Sequence, residues 1–141
     1  RFLNLHLGLS PYYRGSGTNF WPFVNNELDY LGSTILHLDQ GIDTGDIVTH
    51  VRPNIVENDN VHTIGCKIIK ESVNTFKKIF QLISNGTELK RVKQWDPSIN
   101  RYYRNVDFTE EKLSEYMKNL ENGIVKKYVE SEKKKIKLIE I

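Results

Sequence analysis

The longest regular pattern in the sequence is an apolar repeat that runs from about Val61 to Ser84. Its apolar residues recur at a spacing of three to five positions: Ile64, Ile68, Val73, Phe76, Phe80 and Ile83. This spacing lines them up along one side of an α-helix. Ser-Asn-Gly follows, and Gly86 suits the left-handed position just past a helix end. The pattern therefore predicts one long amphipathic helix that stops before Gly86.

Three segments before this helix have the character of β-strands. Residues 2–6 are mostly apolar, and the stretch from about Leu31 to Leu38 alternates and starts with β-branched residues. The acidic loop "DQGIDTGD" separates it from a further strand that starts near Asp46 and ends at Pro53. The compact loop predicts that these two strands form an antiparallel pair. Strands and helices together predict an α/β fold.

Shorter helices are predicted on both sides of the long one. "TNFWPFVNNE" fits a helix with Thr18 as its N-cap and Pro22 in or near its first turn. Further along, Thr109 caps a helix with two glutamates in its first turn, and "IVKKYVES" forms another. The alternating end, "KKKIKLIEI", predicts a final strand. We expect residues 1–86 to be one unit and residues 87–141 to be an α-rich extension.

Composition excludes several classes of protein. The net charge of +2 is too small to indicate a nucleic acid or a membrane surface as partner. No apolar stretch approaches the roughly 20 residues of a membrane span, and no segment resembles a secretory signal. Cys66 is the single cysteine, which excludes an internal disulfide and is typical of a reducing compartment. We expect a cytoplasmic protein and, because the first residue is Arg, the later part of a larger domain.

A polar pair stands where the first strand ends. Asn4 and His6 are two residues apart, so on a strand their side chains project from the same face. An Asn amide can hydrogen-bond an oxyanion as it forms, and an imidazole can take or give a proton near neutral pH. The structural alternative is that Asn4 satisfies backbone groups and His6 is an ordinary half-buried histidine. The pair alone favours that alternative.

The acidic loop offers three carboxylates, on Asp39, Asp43 and Asp46. The loop lacks the ligand series of an EF-hand, so calcium is not indicated. Asx-turns and capping explain Asp beside Gly equally well. A carboxylate near His6 would fix the tautomer of the ring. The acidic loop would bring one there if strand 31–38 lies beside the first strand.

The other histidines, His37, His50 and His62, are spaced too irregularly for a metal site, and no cysteine accompanies them. We predict no bound metal, and we expect His37 and His50 to be surface residues that face each other across the antiparallel pair.

The loop after the first strand contains aromatic and basic residues. Tyr12, Tyr13 and Trp21 are able to stack on a flat ring, although packing in the core is the more common role of such side chains. Arg14 is suited to clamping an anion or to bracing the loop. Both interpretations stay open from these residues alone.

Two motifs together carry a resemblance to a known family. "NLHLGLSPYYRGSG", residues 4–17, and "LDQGIDTGDIV", residues 38–48, resemble the formyltransferases that use 10-formyltetrahydrofolate. That family includes glycinamide ribonucleotide formyltransferase, methionyl-tRNA formyltransferase and the nucleotide-sugar N-formyltransferases. The resemblance covers roughly residues 1–85, with the motifs in the family's order. It implies the later portion of a Rossmann-like formyltransferase domain with a mixed sheet, plus a small helical C-terminal extension.

The resemblance also implies roles for individual residues, with 10-formyltetrahydrofolate as co-substrate and an amine as acceptor. The implied catalytic residues are Asn4, His6 and Asp43. The implied folate-binding residues are Asp39, Gln40, Gly41 and Ile42. The substrate-binding candidates in the first motif are Tyr13, Arg14 and Gly15.

The implied mechanism is attack of an amine on the formyl carbon. Asn4 and protonated His6 would hydrogen-bond the oxyanion, and Asp43 would hold His6 and help relay the amine's proton, with water as an intermediary. The family often has Pro directly after the histidine and a Ser-Leu-Leu-Pro loop, whereas this chain has Leu7 and "GLSP". The Rossmann-like half that begins the family's domain does not precede these motifs in the sequence, so we do not expect activity from residues 1–141 alone.

The tail favours one class of acceptor. The transfer RNA enzyme carries a C-terminal β-barrel, for which this tail is too short, and the purine-pathway enzyme usually ends soon after the long helix. Formyltransferase-like proteins of surface-polysaccharide pathways match the tail better, so we predict an amino sugar on a nucleotide carrier, with no nucleic-acid or membrane partner. Oligomeric state stays open, a homodimer included. A formyltetrahydrofolate hydrolase and a non-catalytic interaction module that retains the fold are the alternatives.

Overall fold

The computed structural model describes residues 2–141 and has the predicted α/β character. Its elements in chain order are β1 (Leu3–His6), β2 (Tyr13–Gly15), α1 (Trp21–Val24), β3 (Ser33–His37), β4 (Ile47–Val51), α2 (Val61–Ser84), β5 (Arg101–Tyr103), α3 (Glu110–Glu121) and α4 (Ile124–Glu130). Short 3-10 turns lie at Leu28–Tyr30 and Asn105–Asp107. No helix within residues 2–141 is both long and apolar enough to cross a membrane.

An antiparallel sheet of three strands, in the order β1-β3-β4, carries the N-terminal polar pair. Asn4 lies opposite Leu36, and His6 lies opposite Thr34. Strand β4 continues the sheet with His50 opposite Thr34, and the register shifts between Ile35 and Leu36. The predicted antiparallel pair of β3 and β4 is therefore confirmed. The loop between them leaves the sheet beside the first strand.

Helix α2 has the predicted bounds, but its buried face differs from the predicted stripe. The buried residues are Ile64, Ile68, Ser72 and Ile79. Val73 and Phe80 are 49% and 60% exposed. The step from Ile68 to Val73 is the reason, because five residues turn an α-helix by about 140° beyond a full turn. Ser72 occupies the true face, and its hydroxyl lies 2.8 Å from that of Ser33 on β3.

Two predictions about the shorter helices have different outcomes. Thr109 caps α3 as predicted, because its hydroxyl accepts a hydrogen bond from the amide of Lys112. Pro22 lies in the first turn of α1, also as predicted, but Thr18 is not the cap. The hydroxyl of Thr18 instead donates to the carbonyl of Leu7 and ties two parts of the first loop together.

The predicted final strand is wrong, and two strands that were not predicted, β2 and β5, are present. Residues 132–141 form neither a helix nor a strand. The carbonyl of Ile139 accepts from the amide of His50, and the amide of Ile139 donates to the ring of His50. A paired strand would instead make a series of backbone–backbone hydrogen bonds. Strand β5 pairs in parallel with β2 instead. The segment after Gly86 thus packs on the first motif.

Candidate active site

Three side chains meet at the end of β1. The Asn4 amide donates to Oδ1 of Asp43 at 2.9 Å, and Nδ1 of His6 lies 3.1 Å from Oδ2 of the same carboxylate. Asn4 and His6 reach it together because residues two apart on a strand project from one face. Asp43 comes from the loop between β3 and β4, whose β3 side is paired with β1. One carboxylate therefore bridges the amide and the imidazole.

The loop holds Asp43 in an uncommon backbone conformation. Its φ is 55°, in the left-handed region that Asp tolerates better than most residues with a side chain. Asp39 organises the loop as an Asx-turn, since its Oδ1 accepts from the amide of Gly41 at 3.0 Å and from the hydroxyl of Thr44 at 2.8 Å. Asp39 therefore forms the Asx-turn that is one explanation for an Asp close to a Gly in this loop.

The Asp43 carboxylate lies in a shielded position. Its side chain is 14% exposed and that of His6 is 5% exposed. The hydrogen bond from His6 lowers the pKa of the Asp43 carboxyl, and the bond from Asn4 acts in the same direction. Burial, which raises the pKa, is outweighed. The carboxylate is therefore in its charged form at neutral pH.

Both nitrogens of the His6 ring face oxygen acceptors. Nδ1 faces Asp43, and Nε2 lies 3.0 Å from the carbonyl oxygen of Tyr13. Both ring nitrogens of His6 are therefore held by oxygen atoms of the protein. The contact with Tyr13 was not predicted, because every residue type has a backbone carbonyl and no side-chain pattern marks this one.

A small cavity lies beside the three side chains. Its volume is about 20 Å³, and Asn4, Asp43, Thr44 and Gly45 are among its lining residues. A polar cavity of this size is large enough for roughly one water molecule. The cavity therefore has room for one water molecule beside Asp43.

The folate-binding candidates lie at the surface of the acidic loop. Gln40 and Gly41 are exposed, and the side chain of Ile42 is 71% exposed. Asp39 and the amide of Gly41 bond to each other in the Asx-turn. The other backbone and side-chain groups of these candidates next to Asp43 are open to a ligand.

The substrate-binding candidates of the first motif are occupied by contacts within the fold. Tyr13 is fully buried, and its hydroxyl donates to Glu27, so burial and this bond raise its pKa. Arg14 donates to Asn100 at 3.0 Å. Gly15 has a φ of 86° and packs against the carbonyl of Tyr103. The structure therefore uses these three residues to join β2 to β5.

A larger cleft is lined by residues of the first motif, of α1 and of the tail. It has a volume of about 290 Å³. Its lining residues are Ser16, Gly17, Trp21, Arg104, Asn105 and Phe108. Three of them come from the tail, where no motif indicated a site.

The histidine predictions need correction. His37 is buried, and its Nε2 lies 2.8 Å from the carbonyl of Lys90. His50 contacts the carbonyl of Ser10 at 2.7 Å, and burial lowers the pKa of its ring. They do not face each other, because Thr34 is the partner of His50. Both are structural residues that tie loops to the sheet.

Comparisons with known proteins identify the family of the chain. The family model described as formyl transferase matches residues 1–80. The methionyl-tRNA formyltransferase of Clostridioides difficile (strain 630) is 29% identical over 127 residues, an alignment that covers 86% of this chain and 40% of that enzyme.

Solved structures share the fold. The N-formyltransferase from Helicobacter canadensis, in complex with folinic acid and dTDP-3-aminofucose, is 26% identical with a TM-score of 0.68, over 84% of this chain and 46% of that one. The formyltransferase PseJ from Anoxybacillus kamchatkensis, in complex with UDP-4,6-dideoxy-4-formamido-L-AltNAc and tetrahydrofolate, is 28% identical with a TM-score of 0.62, over 74% and 53%. The chain thus spans about half or less of the length of these relatives. The family match covers more than half of the chain, which belongs to the formyl transferase family, a family of enzymes.

Proposed function

We propose that this chain provides the catalytic residues for transfer of a formyl group from 10-formyltetrahydrofolate to an amine. The observation that carries the proposal is the shared carboxylate: Asp43 lies 2.9 Å from the Asn4 amide and 3.1 Å from the His6 ring. An amide donor, an imidazole and a shielded carboxylate are the groups that such a transfer needs.

Each side chain has a distinct task in this mechanism. The amine nitrogen forms a bond to the formyl carbon, the bond from that carbon to N10 of the folate breaks, and the amine's proton moves to N10. Asn4 carries two amide N–H groups and donates one to Asp43, and we assign the other to the oxyanion. Protonated His6 stabilises the same charge. Ionised Asp43 orients both, takes the amine's proton through a water in the adjoining cavity and passes a proton on to N10 as the bond from the formyl carbon to N10 breaks.

The surface of the acidic loop supports the folate part of the proposal. Gln40, Gly41 and Ile42 are exposed directly beside Asp43. A pterin ring bound on these residues would bring the formyl group on the neighbouring N10 to the catalytic side chains. The two structural relatives contain folinic acid and tetrahydrofolate, respectively.

For the acceptor, we propose an amino sugar carried on a nucleotide. The cleft between the first motif and the tail supports it, because Phe108 offers an exposed aromatic face to a base and Arg104 offers a cation to a phosphate. The two structural relatives are complexes with nucleotide sugars. The curated relative named above acts on methionyl-tRNA, so transfer RNA is the competing acceptor.

The experiment measures formylated product and tetrahydrofolate by mass spectrometry, using the intact protein and 10-formyltetrahydrofolate. We expect His6→Ala to lower kcat/KM by about a hundredfold or more in a protein that still unfolds in one cooperative transition, because the charge stabilisation by the ring and its hold on Asp43 are lost. His62→Ala, at an exposed position on α2, is the matched control and should keep full activity. Undiminished turnover by His6→Ala would refute the catalytic assignment.

A panel of acceptors tests the rest of the proposal. We expect nucleotide-linked amino sugars to be formylated and methionyl-tRNA to be left unmodified. Formylation of methionyl-tRNA alone would contradict the amino-sugar acceptor. Formate released without any amine would identify the protein as a hydrolase instead.

A further inference from the structure

We propose that Gln94 is a positioning residue that fixes Asp43 in its working orientation, an inference that rests on the proposed function. The Gln94 amide donates to the carbonyl of Asp43 at 2.7 Å and to the carbonyl of Gly45 at 3.0 Å. Its two N–H groups thus clamp the backbone on both sides of Thr44. Gln94 lies after the residues matched by the family model, and it does not contact the reacting groups through its own side chain.

The segment 90–94, which we name the strap, brings Gln94 to this place. Val92 exchanges two backbone hydrogen bonds with Ile47, at 2.7 and 3.0 Å. The carbonyl of Lys90 contacts the ring of His37 at 2.8 Å. The strap is therefore anchored to the last residue of β3 and the first residue of β4, the two ends of the acidic loop.

The loop needs such a clamp because of its backbone. Asp43 has a φ of 55°, and the Asx-turn of Asp39 reaches only as far as Thr44. A residue outside the common regions keeps its conformation when the surrounding structure holds it there. The bonds of Gln94 to residues 43 and 45 supply that restraint, so the direction of the Asp43 side chain depends on an amide that lies 51 positions further along the chain.

The test compares three variants of the intact protein. In Gln94→Glu, a carboxylate of the same size loses both N–H donors and faces two carbonyl oxygens. Gln94→Ala removes the side chain, and Lys93→Ala, at an exposed position of the strap, is the matched control. We expect both Gln94 variants to lower kcat about tenfold or more while KM for the amine changes less than twofold, because a small misplacement of a catalytic group affects the chemical step.

Hydrogen–deuterium exchange gives a readout that does not depend on turnover. We expect the amides of the loop 39–46 to exchange faster in Gln94→Glu than in the wild type, with the amides of α2 unchanged. Wild-type kcat and wild-type loop protection in Gln94→Glu would overturn the inference. If the wild type transfers no formyl group, the proposed function fails, and the exchange experiment still decides whether Gln94 holds the loop.

Discussion

Asp43 combines two requirements at a single residue. Its carboxylate has to be charged to accept from Asn4 and to face His6, and its backbone has to adopt a φ of 55°. Asp and Asn tolerate this region better than other residues with side chains. Replacement by Asn therefore separates the two requirements, because it removes the charge and keeps the backbone preference.

We predict that Asp43→Asn lowers stability at neutral pH and that this effect disappears in acid. The folded-state pKa of Asp43 is below the unfolded value of about 3.9, so the folded state binds fewer protons in that window and stability rises with pH there. The contribution of Asp43 is therefore complete above about pH 5 and is lost as the pH falls through the folded-state pKa. Urea unfolding at several pH values measures it.

The control for this prediction is Asp46→Asn in the same loop. Asp46 makes a surface ion pair with Arg91 at 3.6 Å, and such pairs contribute little. A stability loss for Asp43→Asn that is the same at pH 3 as at pH 7, or no larger than that of Asp46→Asn, would contradict the assignment of a shielded, charged Asp43.

The residue-scale predictions succeeded where side-chain type and strand geometry carry the information. The period of a strand puts Asn4 and His6 on one face, and this is how they meet Asp43. Their catalytic roles stay a prediction. The contact of His6 with the Tyr13 carbonyl and the clamp by Gln94 were missed, because neither a backbone oxygen nor a partner 51 residues away leaves a local pattern.

Among the elements, α2 has the most explicit start signal. Oδ1 of Asn60 accepts from the amides of His62 and Thr63, at 2.9 and 3.0 Å. The hydroxyl of Thr63 accepts from the amide of Asn60 at 2.9 Å and completes a capping box. These bonds satisfy backbone donors that a helix leaves without partners at its first turn.

We predict that Asn60→Ala destabilises the protein by about 1 kcal/mol, because the first-turn amides lose their acceptor. For a chain of this length, that loss corresponds to a fall in Tm of about 3 °C. Asn60→Ser retains a capping oxygen and should restore most of the loss. Thermal unfolding followed by circular dichroism measures both variants, and equal Tm values for Ala and Ser would argue against the cap.

Element predictions failed where long-range pairing decides the outcome. Helix α2 was predicted correctly from 61 to 84 because its periodicity and end signals are local. Strand β5 has three residues in a polar region and exists only because β2 is beside it. The alternating segment 132–141 has the local pattern of a strand, but among the described residues its one backbone–backbone bond to another element is from the amide of His50 to the carbonyl of Ile139. An alternating sequence indicates only that one face of the segment is apolar. A strand also needs the edge of a neighbouring strand with which its backbone can pair.

At the scale of the whole molecule, the residues after Gly86 are joined to the first part by pairing and by charge. Arg101 of β5 donates to Glu27 at 2.6 and 2.8 Å. Burial raises the pKa of Glu27, but the bonds from Arg101 and Tyr13 outweigh it and lower the pKa overall. The division of the chain at Gly86 stays a prediction, and these contacts imply that both parts unfold together.

A double-mutant cycle on this pair tests that implication. We expect Glu27→Gln and Arg101→Met to show a coupling energy of about 1–3 kcal/mol, because the pair is doubly hydrogen-bonded and the Glu27 side chain is 16% exposed. The matched control is Glu57 with Lys126, a pair at 3.7 Å whose side chains are both more than half exposed, with an expected coupling of about 0–1 kcal/mol.

Denaturant unfolding should show a single transition in every variant, because loosening β5 exposes the core around Tyr13. A second transition would show that residues 87–141 unfold independently of the first part, and equal coupling in the two pairs would contradict the strength expected for Glu27 and Arg101.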